Sequence, residues 1–177
     1  MYVERVLFIV APPDSGKSTQ LRSLFLDRRF GTGGKVPSTS EKRKLSAIYH
    51  ISNDRQLFLR LTSPHEVGET PRDFHRKIRA KTGAGRWCVA GTLQPRASKG
   101  MPDIIETTKL FSHEFKPERT RLLFLSPTRH GETLSDYSDG RDLLADLLAI
   151  PRVEVACIDA RKREVNGLLI ADFFDFT

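Results

Sequence analysis

Cysteine is scarce in this chain. Its two cysteines, Cys88 and Cys157, stand in separate apolar, strand-like runs with no metal-ligand spacing. That excludes a disulfide scaffold and a thiolate metal site, and predicts two buried free thiols. No apolar run is long enough to cross a bilayer, so no membrane partner is expected. An apolar strand follows Met1 within a few residues, which leaves no room for a signal peptide, and a cytoplasmic location is expected. Repeats, linkers and composition shifts are also lacking, so residues 1–177 are read as a single domain. Acidic residues are the minority: 22 Asp and Glu stand against 29 Lys and Arg, for a net charge of +7. The basic groups are spread from Arg28-Arg29 through Lys42-Arg43-Lys44 to Arg161-Lys162-Arg163. Such a surface suits nucleic acid, nucleotides or an acidic partner, or is simply a solvated basic face.

The most informative stretch is Ala11-Pro12-Pro13-Asp14-Ser15-Gly16-Lys17-Ser18-Thr19. It follows Val6-Leu7-Phe8-Ile9-Val10, an apolar run of strand length, and precedes a helical pattern with Leu21, Leu24 and Phe25 on one face. Strand, tight loop and helix are the context in which successive backbone N–H groups can wrap an anion. The loop resembles the Walker A motif of P-loop NTPases, with Ala11 where that pattern has its first glycine. The resemblance implies that Pro13, Asp14, Ser15, Gly16, Lys17, Ser18 and Thr19 bind a nucleoside triphosphate. It also implies that Lys17 reaches the β- and γ-phosphates and that Ser18 ligates magnesium.

Residues 3–10 read as a strand and 17–29 as a helix. A Gly/Ser/Thr-rich loop covers 31–40. Alternating Leu45, Ala47, Tyr49, Ile51 and Leu57, Leu59, Leu61 flank Ser52-Asn53-Asp54, a hairpin pattern. Helices follow at 71–82, from Pro102 through Phe115, after Asp139-Gly140 and at the C-terminus, where Val165, Leu168, Leu169 and Phe173 are read as the apolar face. Strands are expected at 87–93, 122–125 and 153–158. The order β-α-β-β-α-β-α-β-α-β-α predicts an α/β fold: three layers, and a six-stranded, mostly parallel mixed sheet with one antiparallel edge strand. Ligands of such sheets sit at the carboxyl ends of the strands.

That order, with its hairpin, resembles the GTPase branch of the P-loop NTPases. The resemblance implies a switch threonine, Thr39 or Thr32, near the metal. Thr62-Ser63-Pro64-His65-Glu66 is similar to the family's Asp-x-Pro-Gly-His, without its aspartate; His65 or Glu66 would orient an attacking water. Thr128-Arg129 and Asp159-Ala160-Arg161 are similar to the two base-reading motifs. Arg72, Arg76 and Arg79 form a stripe on the 71–82 helix, with Arg76 as candidate transition-state cation and Phe74 and Ile78 as the buried side. Three functions are expected from these residues. One is a GTPase-like switch or slow hydrolase using GTP or ATP with magnesium and a protein partner. The others are a nucleotide or small-molecule kinase, and a non-catalytic nucleotide-binding subunit of a larger assembly.

Overall fold

The computed structural model describes residues 1–30, 32–37, 46–140 and 142–175. Six strands form one sheet: β1 (Tyr2–Val10), β2 (Ser46–His50), β3 (Arg55–Arg60), β4 (Arg86–Leu93), β5 (Arg119–Leu125) and β6 (Val153–Ile158). Their order across the sheet is β2-β3-β4-β1-β5-β6. Only β2 and β3 pair antiparallel; every other pair is parallel. The mixed α/β sheet with one antiparallel edge strand is therefore as the sequence predicts. The neighbour of β1 on the hairpin side, however, is β4 and not β3.

Period-two alternation along β1 builds two cores. Val6, Phe8 and Val10 point to one face, where they meet Phe74 and Ile78 of α3 (Pro71–Lys81), Ile104 and Phe111 of α4 (Ile104–Phe115), and Leu147 of α5 (Leu143–Leu148). Leu7, Ile9 and Ala11 point to the other face. There they meet Leu21 of α1 (Lys17–Ser23) and Ile170 and Phe174 of α6 (Arg163–Phe174). Helices thus cover both faces, and each fully buried large side chain contributes about 1.5–3 kcal/mol.

Three local readings change. The first helix stops at Ser23 and continues as short 3-10 turns through Phe30, still burying Leu21, Leu24 and Phe25. On α6 the buried face is Ile170, Ala171 and Phe174, whereas Leu168 and Leu169 are half exposed. The reason is Gly167, which turns the helix's closest face onto α1: a Cβ there would stand 2.3 Å from the Ser23 carbonyl oxygen. Cys88 is buried as expected, but Cys157 is exposed, because β6 is an edge strand of the sheet.

Parallel pairing puts the connections after β1, β3, β4, β5 and β6 along one edge of the sheet. All the sequence motifs singled out above that fall in described residues and follow a strand lie on that edge.

Candidate functional site

The Ala11–Thr19 loop leaves β1 at the centre of this edge. Asp14 and Gly16 take left-handed backbone angles, φ 56° and 89°. A side chain at Gly16 would be strained, which is the reason for glycine there. Ser15 is buried and its hydroxyl donates to the Pro13 carbonyl (3.3 Å). Pro13 itself is exposed.

Lys17 is 4 % exposed. Its ammonium donates to the Pro12 carbonyl (2.6 Å) and stands 3.2 Å from Oε1 of Glu66. Burial pushes the Lys17 ammonium below its usual range, and the Glu66 carboxylate works against that shift. The Ser18 hydroxyl donates to the Leu61 carbonyl (2.7 Å), which also accepts from Thr92 (3.0 Å). This shared acceptor fastens α1 to the ends of β3 and β4.

Around these groups lies a cavity of about 200 Å3, lined by Asp14, Gly16, Lys17, Ser18, Thr19, Glu66 and Arg129. Arg129 arrives because β5 pairs with β1, so the loop after β5 runs beside the loop after β1. Its Cδ lies 3.9 Å from where a Cβ on Gly16 would stand. His130 reinforces the approach, with Nε2 3.3 Å from the Asp14 carbonyl and 3.1 Å from Arg129 Nε. Thr128 is buried beneath, its hydroxyl donating to Glu132 (3.1 Å). The sequence places Thr128 and Arg129 as a base-side pair; here Arg129 lines the same cavity as Lys17.

Glu66 belongs to α2 (Pro64–Val67), the short helix after β3. His65 does not face the cavity. It is fully buried, its Nε2–H donates to the Pro102 carbonyl (2.9 Å), and its Nδ1 accepts from the Gln94 amide (3.5 Å). Burial lowers its pKa below the ordinary histidine value; the Pro102 hydrogen bond opposes this and Lys17 adds to it. Both ring nitrogens hold the backbone, so the ring anchors α2 to the loops after β4.

Arg76 is 73 % exposed on its side chain and pairs with Asp73 (2.8 Å). Arg79 pairs with Glu114 of α4. Neither lines the cavity beside Lys17. Phe74 and Ile78 are buried as the stripe's pattern predicts. Thr39 lies outside the described residues.

The loop after β6 reaches α1 through its backbone. Gln20 donates to the Ala160 carbonyl (2.8 Å), while Asn166 donates to Gln20 (3.2 Å) and to the Asp159 carbonyl (2.7 Å). The Asp159 carboxylate is gripped by Arg161 at 2.8–2.9 Å, and that side-chain pairing holds its pKa down at about 2.

Among the described residues no group of three or more His, Cys, Asp or Glu side chains is placed to hold a metal ion. Magnesium does not require one, since it keeps waters and takes most of its oxygens from phosphate. The Ser18 hydroxyl and the Glu66 carboxylate, both lining the cavity, fit that sparse demand. β4, a strand beside β1, ends in Gly91-Thr92-Leu93 and is followed by Gln94, so it brings no carboxylate to this edge.

Sequence reasoning missed the Pro12 and Leu61 carbonyls and the place of Arg129. It also missed Arg60, although a charged residue in phase with buried Phe58 on a strand is a visible signal. Compared with known proteins, the chain matches no family model, no curated protein and no solved structure.

Proposed function

We propose that the chain is a P-loop protein that binds a nucleoside triphosphate with magnesium, as a GTPase-like switch or slow hydrolase. The observation that carries this reading is the convergence of Lys17 and Arg129 with Gly16 and Ser18 on one cavity at the end of β1. Two cations on one small cavity, balanced there by the carboxylates of Asp14 and Glu66, suit a triphosphate that arrives with magnesium rather than alone. Lys17 takes the β- and γ-oxygens once it leaves the Pro12 carbonyl. Arg129 supplies, from the same chain, positive charge beside the phosphates. Magnesium, held by Ser18 and Glu66, would neutralise phosphate charge when bound. Glu66 is the carboxylate beside Lys17, and slow hydrolysis is expected because β4 adds no further one.

The test is the unfolding midpoint with ATP, GTP and their diphosphates, each with and without magnesium. Ligands that bind only the folded state raise the midpoint by mass action. A triphosphate with magnesium should raise it, and Lys17→Ala should abolish the rise while the unliganded protein still unfolds cooperatively. An unchanged rise in that variant overturns the reading. A rise with GTP alone assigns the base, and a rise with ATP, or with both, brings an ATP-using reaction forward.

A further inference from the structure

A second, larger cavity lies on the other side of α2 from the Lys17 site. It measures about 380 Å3 and is lined by Phe58, Arg60 and Thr62 from β3 and its end, Val67 and Glu69 from α2 and its exit, and Lys77, Ala80 and Lys81 from α3. That volume falls within the roughly 300–1,000 Å3 of small-molecule sites. The two cavities share a wall: Glu66 lines the first, and its neighbour Val67 lines the second. Leu61, whose carbonyl holds Ser18, directly precedes Thr62.

The polar groups of this cavity are built in. Arg60 and Glu69 are 9 % and 6 % exposed, and Arg60 Nη2 donates to Glu69 Oε1 at 2.7 Å. Lys77 reaches the same oxygen from α3. Arg60 also lies 5.3 Å above the Phe74 ring and donates through Nε to the Thr62 carbonyl (3.0 Å). Glu69 Oε2, shielded from solvent, has no hydrogen-bond partner among the described residues. Burying two charges costs several kcal/mol per ion, and leaving one carboxylate oxygen unpartnered adds to that cost. The lining carries three cations and one carboxylate, an excess that matches the charge of about −1.5 to −2 on a phosphate monoester. Lys77 and Lys81, one turn apart on α3, carry that excess in a lining that also includes Phe58, Val67 and Ala80.

We propose that this cavity binds a small organic phosphate monoester. Its phosphate meets Lys77 and Lys81, and its apolar body lies along Phe58, Val67 and Ala80. The site does not depend on what occupies the Lys17 cavity.

Nucleoside monophosphates carry both features and serve as probes. The full chain is titrated calorimetrically with AMP, GMP, CMP and UMP and with the matching nucleosides. At least one monophosphate should bind, and its nucleoside at least tenfold more weakly. Lys81→Met keeps the stem and removes the charge of an exposed side chain; it should weaken the monophosphate tenfold or more. Lys17→Ala should change it less than twofold. The proposal is overturned if no monophosphate binds or if nucleoside and monophosphate bind alike. It is equally overturned if Lys17→Ala abolishes binding while Lys81→Met leaves it unchanged, since the phosphate then sits at the first cavity. Loss of triphosphate binding with monophosphate binding retained leaves this site standing and removes the other.

Discussion

The Glu66 carboxylate of α2 stands 3.2 Å from the Lys17 ammonium of α1. The two residues are far apart in sequence, and α2 brings them together. Under the proposed function, an incoming triphosphate would compete with Glu66 for Lys17 unless a magnesium ion took up the carboxylate. Glu66→Gln removes the competing charge. Triphosphate affinity without magnesium is expected to rise at least threefold in that variant, and the affinity gained on adding magnesium is expected to shrink. Unchanged affinity in both conditions, measured by calorimetry, would show that Glu66 plays no part at the phosphates.

Arg129 and Arg76 make a paired test. Arg129 lines the cavity with Lys17, whereas Arg76 is spent on Asp73 at the surface. Hydrogen bonds to charged groups are worth about 1.5–3 kcal/mol, so Arg129→Ala should weaken triphosphate binding about tenfold or more. Arg76→Ala should leave it within twofold. The opposite ranking would restore the α3 stripe as the phosphate-side cation.

His65 predicts a pH dependence of stability. Its folded pKa is lowered by burial, so the native ring is neutral while the unfolded ring titrates near its ordinary value. A depressed folded pKa gives stability that is complete above the unfolded pKa, about 6.5, and is lost as pH falls below it toward the folded pKa. Protonating Nδ1 would also set an N–H against the Gln94 amide. Urea midpoints should therefore fall between pH 7.5 and 5.5. His75, also buried and lowered, contributes in the same sense, so the decisive quantity is the difference from His65→Gln. That variant should be less stable at pH 7.5 and show a flatter fall; an identical slope would remove His65 from the effect.

Gly167→Ala tests the closest approach of α6 to α1. The new Cβ would meet the Ser23 carbonyl oxygen at 2.3 Å and Leu26 Cδ1 at 2.8 Å. Backbone cannot swing aside as a flexible side chain does, so a loss of about 1–3 kcal/mol is expected by urea denaturation. Because α1 carries Lys17 and Ser18, triphosphate affinity should fall with it. A variant as stable as the wild type would mean that the two helices slide apart without cost.

The sequence alone was enough for the strand at Val6–Val10, the loop at Ala11–Thr19 and the burial of Leu21, Leu24 and Phe25. These follow from alternation, turn chemistry and helical spacing over neighbouring residues, and the same local rules place the β2–β3 hairpin. Tertiary structure decided which strands neighbour β1. Parallel strands offer one another the same backbone hydrogen bonds, so local pattern does not choose among them; packing of α3, α4 and α6 on the two faces does. That choice inserts β4 between β1 and β3, leaves Cys157 on an exposed edge, and lays the Arg129 loop against Gly16. It also turns His65 inward while its neighbour Glu66 reaches Lys17, because successive residues of a helix point about 100° apart. The lining of the first cavity was thus legible where it lies on one local segment, and invisible where distant segments meet.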